Sequence, residues 1–176
     1  MWSTTFGKSS VKILLVIIVL VEASMGIEPC SPWVVNFETL KCYRVFCERR
    51  SQYEAEKVCQ ENNGHLATIC SKKMNDFAAL MAYFYEKTGR SNPRVWVGIH
   101  WKGREKWDWT WESGSNCEYR AWWTSQLTPD NWRGTGHDEE CAHFVTYETS
   151  AWNQWNDLDC RTEESFICET EDCTQL

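Results

Sequence analysis

Residues 95–99 read Val-Trp-Val-Gly-Ile, an unbroken run of β-branched, aromatic and small apolar residues, and the fold class is decided around this run. It predicts a short buried strand, because such side chains pack well on a pleated surface. Residues 107–111 alternate tryptophan with a polar residue, which is the pattern of a half-buried strand. Three further runs predict strands, at residues 42–46, 142–147 and 165–169.

Two helices are predicted on the N-terminal side of this strand. Ser51 and Glu54 have the spacing of a capping box, and the first helix runs from there to about Asn62. The second helix begins near Ser71 and ends by Gly89. Its apolar residues recur at the helical period, at Met74, Phe77, Ala78, Met81, Phe84 and Tyr85.

Residues 113–139 have no clear periodicity and many polar side chains. A loop of this length inside a compact domain is usually functional. The order of elements is strand, two helices, then strands around a long loop, which predicts an α+β fold. No repeat, linker or low-complexity block interrupts residues 27–176, so we expect one domain there.

The first 26 residues have the character of a secretion signal. A positively charged start precedes an apolar run at residues 13–21, and small residues follow up to Gly26. An uncleaved membrane anchor is the alternative, but Glu22 interrupts the run well before the roughly 20 residues that a bilayer span needs. We therefore expect residues 1–26 to be a signal peptide. The mature protein would be secreted and extracellular, with no membrane insertion after signal removal.

The charge balance and the cysteine content exclude further classes of function. The 176 residues include 25 acidic and 18 basic side chains, a formal charge of −7. This balance argues against binding to nucleic acid or to anionic membranes, which both require clustered positive charge. All ten cysteines follow residue 26, and an even number behind a secretion signal predicts disulfides rather than zinc ligands. Spacing alone does not say which sulfurs pair.

A set of short strings, ordered along nearly the whole mature chain, resembles the motifs of C-type lectin-like domains. The strings include Trp96-Val-Gly-Ile-His100, Trp109-Thr-Trp-Glu-Ser-Gly114, Thr128-Pro-Asp-Asn-Trp132, Glu140-Cys-Ala-His-Phe144 and Trp155-Asn-Asp157. Within that family the resemblance is closest to the galactose-binding asialoglycoprotein receptor group. It implies an α+β fold with two helices packed on small antiparallel sheets, a long ligand-binding loop and stabilising disulfides.

The resemblance also implies three particular disulfides, Cys30–Cys42, Cys59–Cys168 and Cys141–Cys160. Four cysteines then remain, with three internal connectivities open to them: Cys47, Cys70, Cys117 and Cys173. One of these cysteines could instead form a disulfide with a second copy of the chain. A second copy is therefore a possible partner, in a disulfide-linked or non-covalent homo-oligomer.

A calcium site follows from the same resemblance. The family's ligand positions correspond here to Thr128, Asp130, Glu139, Asn156 and Asp157. Ca²⁺ takes about six to eight oxygen ligands, and in sugar-binding members two sugar hydroxyls complete the shell. Three carboxylates would offset the charge of the ion. Thr128 departs from the Gln or Glu of the family and is shorter, so we expect a weak site, toward the ~10⁻³ M end of extracellular affinities.

The sugar specificity implied by the resemblance is of the galactose type. Asp130 after Pro129 is similar to the family's Gln-Pro-Asp arrangement for galactose, and a cis peptide bond is expected before this proline. Trp132 matches the aromatic position that covers the C–H face of galactose. The implied sugar-binding residues are Asp130, Trp132, Glu139, Asn156 and His137, the last for an N-acetyl group. The ligands would be glycans on cell surfaces or glycoproteins that end in galactose or N-acetylgalactosamine.

Two other function classes compete with a galactose-type lectin. Thr128 also suits a lectin-like domain that binds a protein or another surface without calcium or sugar, and Trp132 would then serve a protein contact. An enzyme is disfavoured, because the sequence has no nucleophile elbow, zinc-protease pair or P-loop. Core positions are expected for five tryptophans and structural roles for three histidines: Trp96, Trp107, Trp109, Trp111 and Trp155, and His65, His100 and His143.

Overall fold

A computed structural model describes residues 30–175 of the chain, except 87–91, 104, 106, 107, 133, 135 and 149. The predicted signal peptide, the predicted helix end at Gly89 and the predicted core residue Trp107 lie outside the described residues. The described part contains two helices and eight strands, which confirms the α+β prediction. Neither helix is long and apolar enough to cross a membrane.

The helices and strands have the following bounds. The helices are α1 (Gln52–Glu61) and α2 (Lys72–Tyr85). The strands are β1 (Val34–Asn36), β2 (Lys41–Arg50), β3 (Gly64–Leu66), β4 (Arg94–Trp101), β5 (Trp109–Trp111), β6 (Cys141–Val145), β7 (Trp155–Leu158) and β8 (Glu164–Thr170). The predicted strands correspond to β2, β4, β5, β6 and β8, whereas β1, β3 and β7 were not predicted.

Side chains that satisfy free backbone N–H groups set both helix starts. The Ser51 hydroxyl accepts a hydrogen bond from the Glu54 N–H, and the Glu54 carboxylate accepts one from the Ser51 N–H, so the predicted capping box is confirmed. Ser71 caps α2 by accepting from the N–H of Met74. Such caps each contribute about 1 kcal/mol to helix stability.

The buried face of α2 is rotated from the predicted one. The helix buries Asn75, Ala79 and Ala82 beside Met74 and Ala78, and Phe84 lies beyond the edge of this arc with 56% of its surface exposed. Phe84 lines an apolar surface groove instead. The groove is completed by Leu80, Tyr83, Thr146 and Trp152. The prediction that Phe84 shares the packed face is therefore wrong, because the small alanines allow α2 to approach the rest of the domain on their side.

The eight strands form one hydrogen-bonded network rather than separate sheets. Its order is β1-β2-β8-β4-β6-β7, with β3 added to β8 and β5 added to β4. Every pair is antiparallel except β4 and β8, which are parallel. The central strands β4, β6 and β8 are almost entirely buried, and this explains the near-continuous apolar run at residues 95–99.

Aromatic side chains fill the core. One cluster contains Trp111 and Trp155, whose rings meet edge to face at 5.8 Å, and a second cluster contains Trp96. Trp109 is 7% exposed, so the core prediction holds for the four described tryptophans. Of the histidines expected to be structural, His143 is fully buried, and burial lowers its pKa to about 3. The other two lie beside carboxylates, His65 with Glu56 and His100 with Glu112.

Five disulfides pair all ten cysteines within the chain. They are Cys30–Cys47, Cys42–Cys173, Cys59–Cys168, Cys70–Cys117 and Cys141–Cys160. Two of them, from α1 to β8 and across the base of the long loop, are those that the resemblance implies. No cysteine of the ten is left for a disulfide between two chains.

The implied pairing of Cys30 with Cys42 is wrong, and the register of the N-terminal hairpin explains why. The N–H of Cys30 donates to the carbonyl of Val45, three residues further along β2 than Cys42 and therefore ~10 Å away from it. A disulfide requires Cα atoms within about 7 Å. Cys30 accordingly meets Cys47 at a Cα separation of 5.2 Å. Cys42 lies beside the end of β8 and pairs with Cys173 at 5.6 Å.

Candidate functional site

The long loop between β5 and β6 is fastened to β7 by backbone hydrogen bonds. The N–H of Trp123 donates to the carbonyl of Trp155, and the N–H of Trp155 donates to the carbonyl of Ala121, both at 2.8 Å. A short 3₁₀ turn, Thr124–Gln126, follows, and the Thr128–Pro129 peptide bond is cis as predicted. These contacts place Asp130, which follows Pro129, at the end of the sheet where β6 begins.

Three carboxylates converge at this point. Oxygen atoms of Asp130, Glu139 and Asp157 lie within 4.8 Å of one another. Asp130 comes from the loop, Glu139 lies two residues before β6, and Asp157 is on β7. The pairing of Ala142 with Asp157 between β6 and β7 brings the last two together. The structure thus assembles three of the five residues that the resemblance assigns to calcium.

Two of these carboxylates are buried, and one oxygen has no partner. Asp157 is 0% exposed and Glu139 is 6% exposed, whereas Asp130 is on the surface. One oxygen of Asp157, Oδ2, accepts a hydrogen bond from the N–H of Asn131 at 2.7 Å. The other, Oδ1, is buried without a hydrogen-bond partner among the described residues. A buried charged oxygen in this state costs free energy unless a ligand satisfies it.

Asn131 organises the acidic residues from the centre of the site. Its side-chain oxygen accepts the N–H of Glu139 at 2.7 Å, and its amide nitrogen donates to Asp138 at 3.3 Å. Its backbone is in the left-handed region, with φ of 51°. Sequence reasoning missed Asn131, although asparagine is one of the few residues that adopt this conformation readily.

The electrostatics of the cluster favour protonation or a cation. Burial, and after it the nearby charge of Asp157, together raise the pKa of Glu139 from its ordinary value to about 7. Burial also raises the pKa of Asp157, as does the charge of Asp130. A divalent cation would relieve both effects. Oxygen donors of this kind are those that calcium prefers, so the residues present fit the ion that the resemblance implies.

The other two residues that the resemblance assigns to calcium, Thr128 and Asn156, form hydrogen bonds with the backbone. Thr128 is 6% exposed, and its hydroxyl donates to the backbone carbonyls of Trp123 and Trp155, each at 3.2 Å. The hydroxyl thus stabilises the contact between the loop and β7. Asn156 is half-buried beside Asp157, and its amide nitrogen donates to the Asp157 carbonyl at 2.6 Å.

Trp132 is held at the edge of the carboxylates with its ring in solvent. Its N–H donates to the Glu139 carboxylate at 3.1 Å, and 58% of the residue is exposed. The indole lies directly against Gly134, where any Cβ atom would overlap the ring. The glycine therefore sets the orientation of the indole.

The structure does not place His137 in the carboxylate pocket. His137 is exposed and lines a separate depression. The other described residues of that depression are Tyr53, Asp138, Glu140, Asp159, Cys160 and Arg161. Asp138 and Glu140, on either side of Glu139, line that depression with His137, so Glu139 alone of residues 137–140 faces the carboxylate pocket.

The carboxylates form one wall of a pocket of about 230 Å³. Trp101, Trp109 and Pro129 supply its apolar lining. Sequence reasoning assigned Trp109 to the core and did not consider Trp101. The only signal was that Trp101 lies two residues beyond Ile99 in the strand pattern, and its place in the pocket depends on the register between β4 and β5.

Comparison with known proteins assigns this chain and its fold to a family. The family described as "Lectin C-type domain" matches residues 48–170. Snaclec 5 of Echis pyramidum leakeyi is 32% identical over 143 residues, which are 80% of this chain and 82% of the relative. The alpha-N-acetylgalactosamine-specific lectin of Patiria pectinifera is 30% identical over 138 residues, 76% of each chain.

A solved structure agrees with this assignment. The carbohydrate-recognition domain of the human scavenger receptor C-type lectin superimposes with a TM-score of 0.62 at 30% identity, covering 81% of this chain and 99% of that domain. On the family match, the relatives and the architecture, this chain belongs to the C-type lectin domain family.

Proposed function

We propose that this protein is a secreted, calcium-dependent lectin for terminal galactose or N-acetylgalactosamine. The observation that carries the proposal is the buried, unpartnered Oδ1 of Asp157 within 4.8 Å of two further carboxylates. Buried anionic oxygens of native proteins are paired or bind metals. In the proposed site, Asp130, Glu139 and Asp157 hold the ion with the side chain of Asn156, and Thr128 acts on the loop rather than on the metal.

Trp132 and Asp130 support a galactose-type ligand. The exposed indole, held over Gly134, offers a flat apolar surface beside the carboxylates. Galactose presents a face of C–H groups that such a surface covers. Asp130 is the exposed member of the cluster and is placed to accept hydrogen bonds from sugar hydroxyls. The N-acetylgalactosamine-specific lectin among the relatives supports the same sugar class.

Secretion is supported by the signal-like first 26 residues and by the disulfides. Five bridges persist only in an oxidising compartment, and each stabilises a small domain by about 2–4 kcal/mol. Glycans of cell surfaces and glycoproteins are exposed to the same environment.

Chromatography on immobilised galactose tests the proposal. The wild-type protein should be retained in millimolar calcium and released by a chelator. Asp157→Asn should flow through, because it removes a charge at the site while the amide oxygen keeps the bond from Asn131. Asp159→Asn is the matched control, since Asp159 pairs with Arg161 outside the carboxylate pocket. Wild-type protein that flows through in calcium, or that stays bound in chelator, would refute the proposal.

Thr128 favours a second candidate, a lectin-like domain that binds a protein surface without calcium. Its hydroxyl donates to backbone carbonyls and Thr128 is not among the residues that line the carboxylate pocket, so the site has one oxygen ligand fewer than the family pattern. Calorimetry distinguishes the candidates. No heat of calcium binding and no thermal shift in up to ~10 mM calcium, ten times the weak extracellular limit, would favour this second candidate.

A further inference from the structure

The carboxylate pocket has aromatic lining residues to which the proposed function gives no role. Trp101 and Trp109 line the pocket together with Pro129 and the acidic residues. Trp132 is not among the described residues of this pocket and lies against Gly134. Two separate aromatic surfaces therefore flank the same carboxylates.

Trp101 is held rigidly in this lining. It is the register partner of Trp109 across β4 and β5, so the two indoles lie on the same side of the strand pair. Its backbone N–H donates to the carbonyl of Glu140 at 2.8 Å, one residue from the carboxylate of Glu139. Its indole N–H donates to the carbonyl of Glu105. A ring fixed at both ends loses little conformational entropy on binding a ligand.

The two indoles of the lining differ in accessibility. Trp109 is 7% exposed and packs on Trp122, with ring centroids 4.6 Å apart. Trp101 is only half-buried. Trp109 is therefore covered by the protein, and Trp101 is the member that a ligand can cover.

We infer that Trp101 is a second stacking surface, which binds the sugar ring next to the terminal galactose in a glycan. The inference rests on the proposed function and adds the ligand class to it. A pyranose ring carries hydroxyls around its edge and C–H groups on its faces, so it suits a pocket lined by both charged and apolar side chains. The ligand is then at least a disaccharide, whose terminal ring contacts the ion at the carboxylates and whose second ring covers Trp101.

Calorimetry in millimolar calcium with two ligands tests this inference. Lactose has a second ring, and methyl galactoside does not. The wild-type protein should bind lactose roughly 3- to 10-fold more tightly, as expected for one aromatic stacking contact. Trp101→Leu should bring the ratio of the two affinities to about 1, whereas Trp101→Phe should keep most of it. Trp152→Leu is the control, since this tryptophan is 36% exposed outside the pocket.

A measurement on the unmodified protein supplies an independent readout. The indole N–H resonance of Trp101, assigned by its absence from the Trp101→Phe spectrum, should shift with lactose and not with methyl galactoside. Equal wild-type affinities for the two sugars, an unmoved resonance, or a preserved ratio in Trp101→Leu would overturn this inference and leave the proposed function intact. Binding of neither sugar by the wild type would overturn both.

Discussion

Buried acidic side chains occur in two regions of this molecule and are treated in opposite ways. In the sheet, Glu169 is 3% exposed and Glu164 is 1% exposed, and each has a cationic partner, Lys41 at 3.0 Å and Arg94 at 3.3 Å. At the end of the long loop, Glu139 and Asp157 are as deeply buried, but their nearest charged neighbours include each other and Asp130. The sheet pairs its buried acids with cations, whereas the acids at the end of the loop lie beside other acids, an arrangement that protonation or a bound cation would balance.

The largest expected effect concerns calcium. Asp157→Asn should weaken calcium binding by at least about 100-fold, because it removes a charged ligand rather than an outer contact, whose loss already costs ~10–100-fold. Isothermal calorimetry of the variant beside Asp159→Asn measures this. Equal calcium affinity in the two variants would show that Asp157 contributes no more to calcium binding than Asp159, which lies outside the carboxylate pocket.

The second-largest expected effect is a pH dependence of stability that comes from the carboxylate cluster and not from the paired acids of the sheet. The pKa of Glu139 is raised to about 7 in the folded protein, so the folded state binds an additional proton between roughly pH 4.5 and 7. In chelator, this contribution to stability is present at low pH and is lost as the pH rises through that window. The loss is on the order of 3 kcal/mol.

The comparison of wild type with Glu139→Gln isolates this effect in urea melts at a series of pH values. His143 contributes in the opposite direction, because its lowered pKa of about 3 costs stability as the pH falls below its ordinary value. That contribution is common to both proteins and cancels in the difference. Saturating calcium should abolish the fall in stability. A pH-independent difference between the two proteins would contradict the assignment.

A charge removed from the sheet should destabilise the protein. Arg94→Leu removes the cation 3.3 Å from the buried carboxylate of Glu164, and we expect a loss of about 2 kcal/mol, reduced from the full buried-pair value because Arg94 is 26% exposed. Arg161→Leu breaks the exposed pair with Asp159 and should leave the stability nearly unchanged. Chemical denaturation compares the two. Similar losses would mean that burial does not distinguish these pairs.

The smallest effect is expected at the aromatic edge of the loop. Gly134→Ala should displace the indole of Trp132 and weaken galactose binding roughly 3- to 10-fold with unchanged calcium affinity. A double-mutant cycle with Trp132→Ala tests the mechanism, since the glycine substitution should have no further effect once the indole is absent. Additive losses would show that Gly134 acts by another route.

Local signals predicted a large part of the fold. Ser51, Glu54 and Ser71 reveal the helix starts because capping involves neighbours three residues apart. The strand at residues 95–99 was predictable because its apolar character is continuous. The short strands β1, β3 and β7 have only three or four residues, and their pairing with distant partners, rather than their composition, makes them strands.

The candidate site was predictable where a resemblance supplied positions and not where register decides them. Asp130, Glu139 and Asp157 were expected together and do lie together. Trp101 was missed because its place in the pocket depends on the pairing of β4 with β5. The pairing of Cys30 was wrong for the same reason, since it is set by the alignment of the first segment with β2.

Taken alone, the order of residues determined the α+β class, the starts of the two helices, the presence of disulfides and the acids available for a metal. These depend on interactions between near neighbours or on composition, so they can be identified without a partner strand. Tertiary structure alone decided which cysteines pair, which acids are buried without a counter-ion, and which tryptophans face the pocket. Each of those depends on the distance between residues far apart in the chain, and only the packed sheet determines such distances.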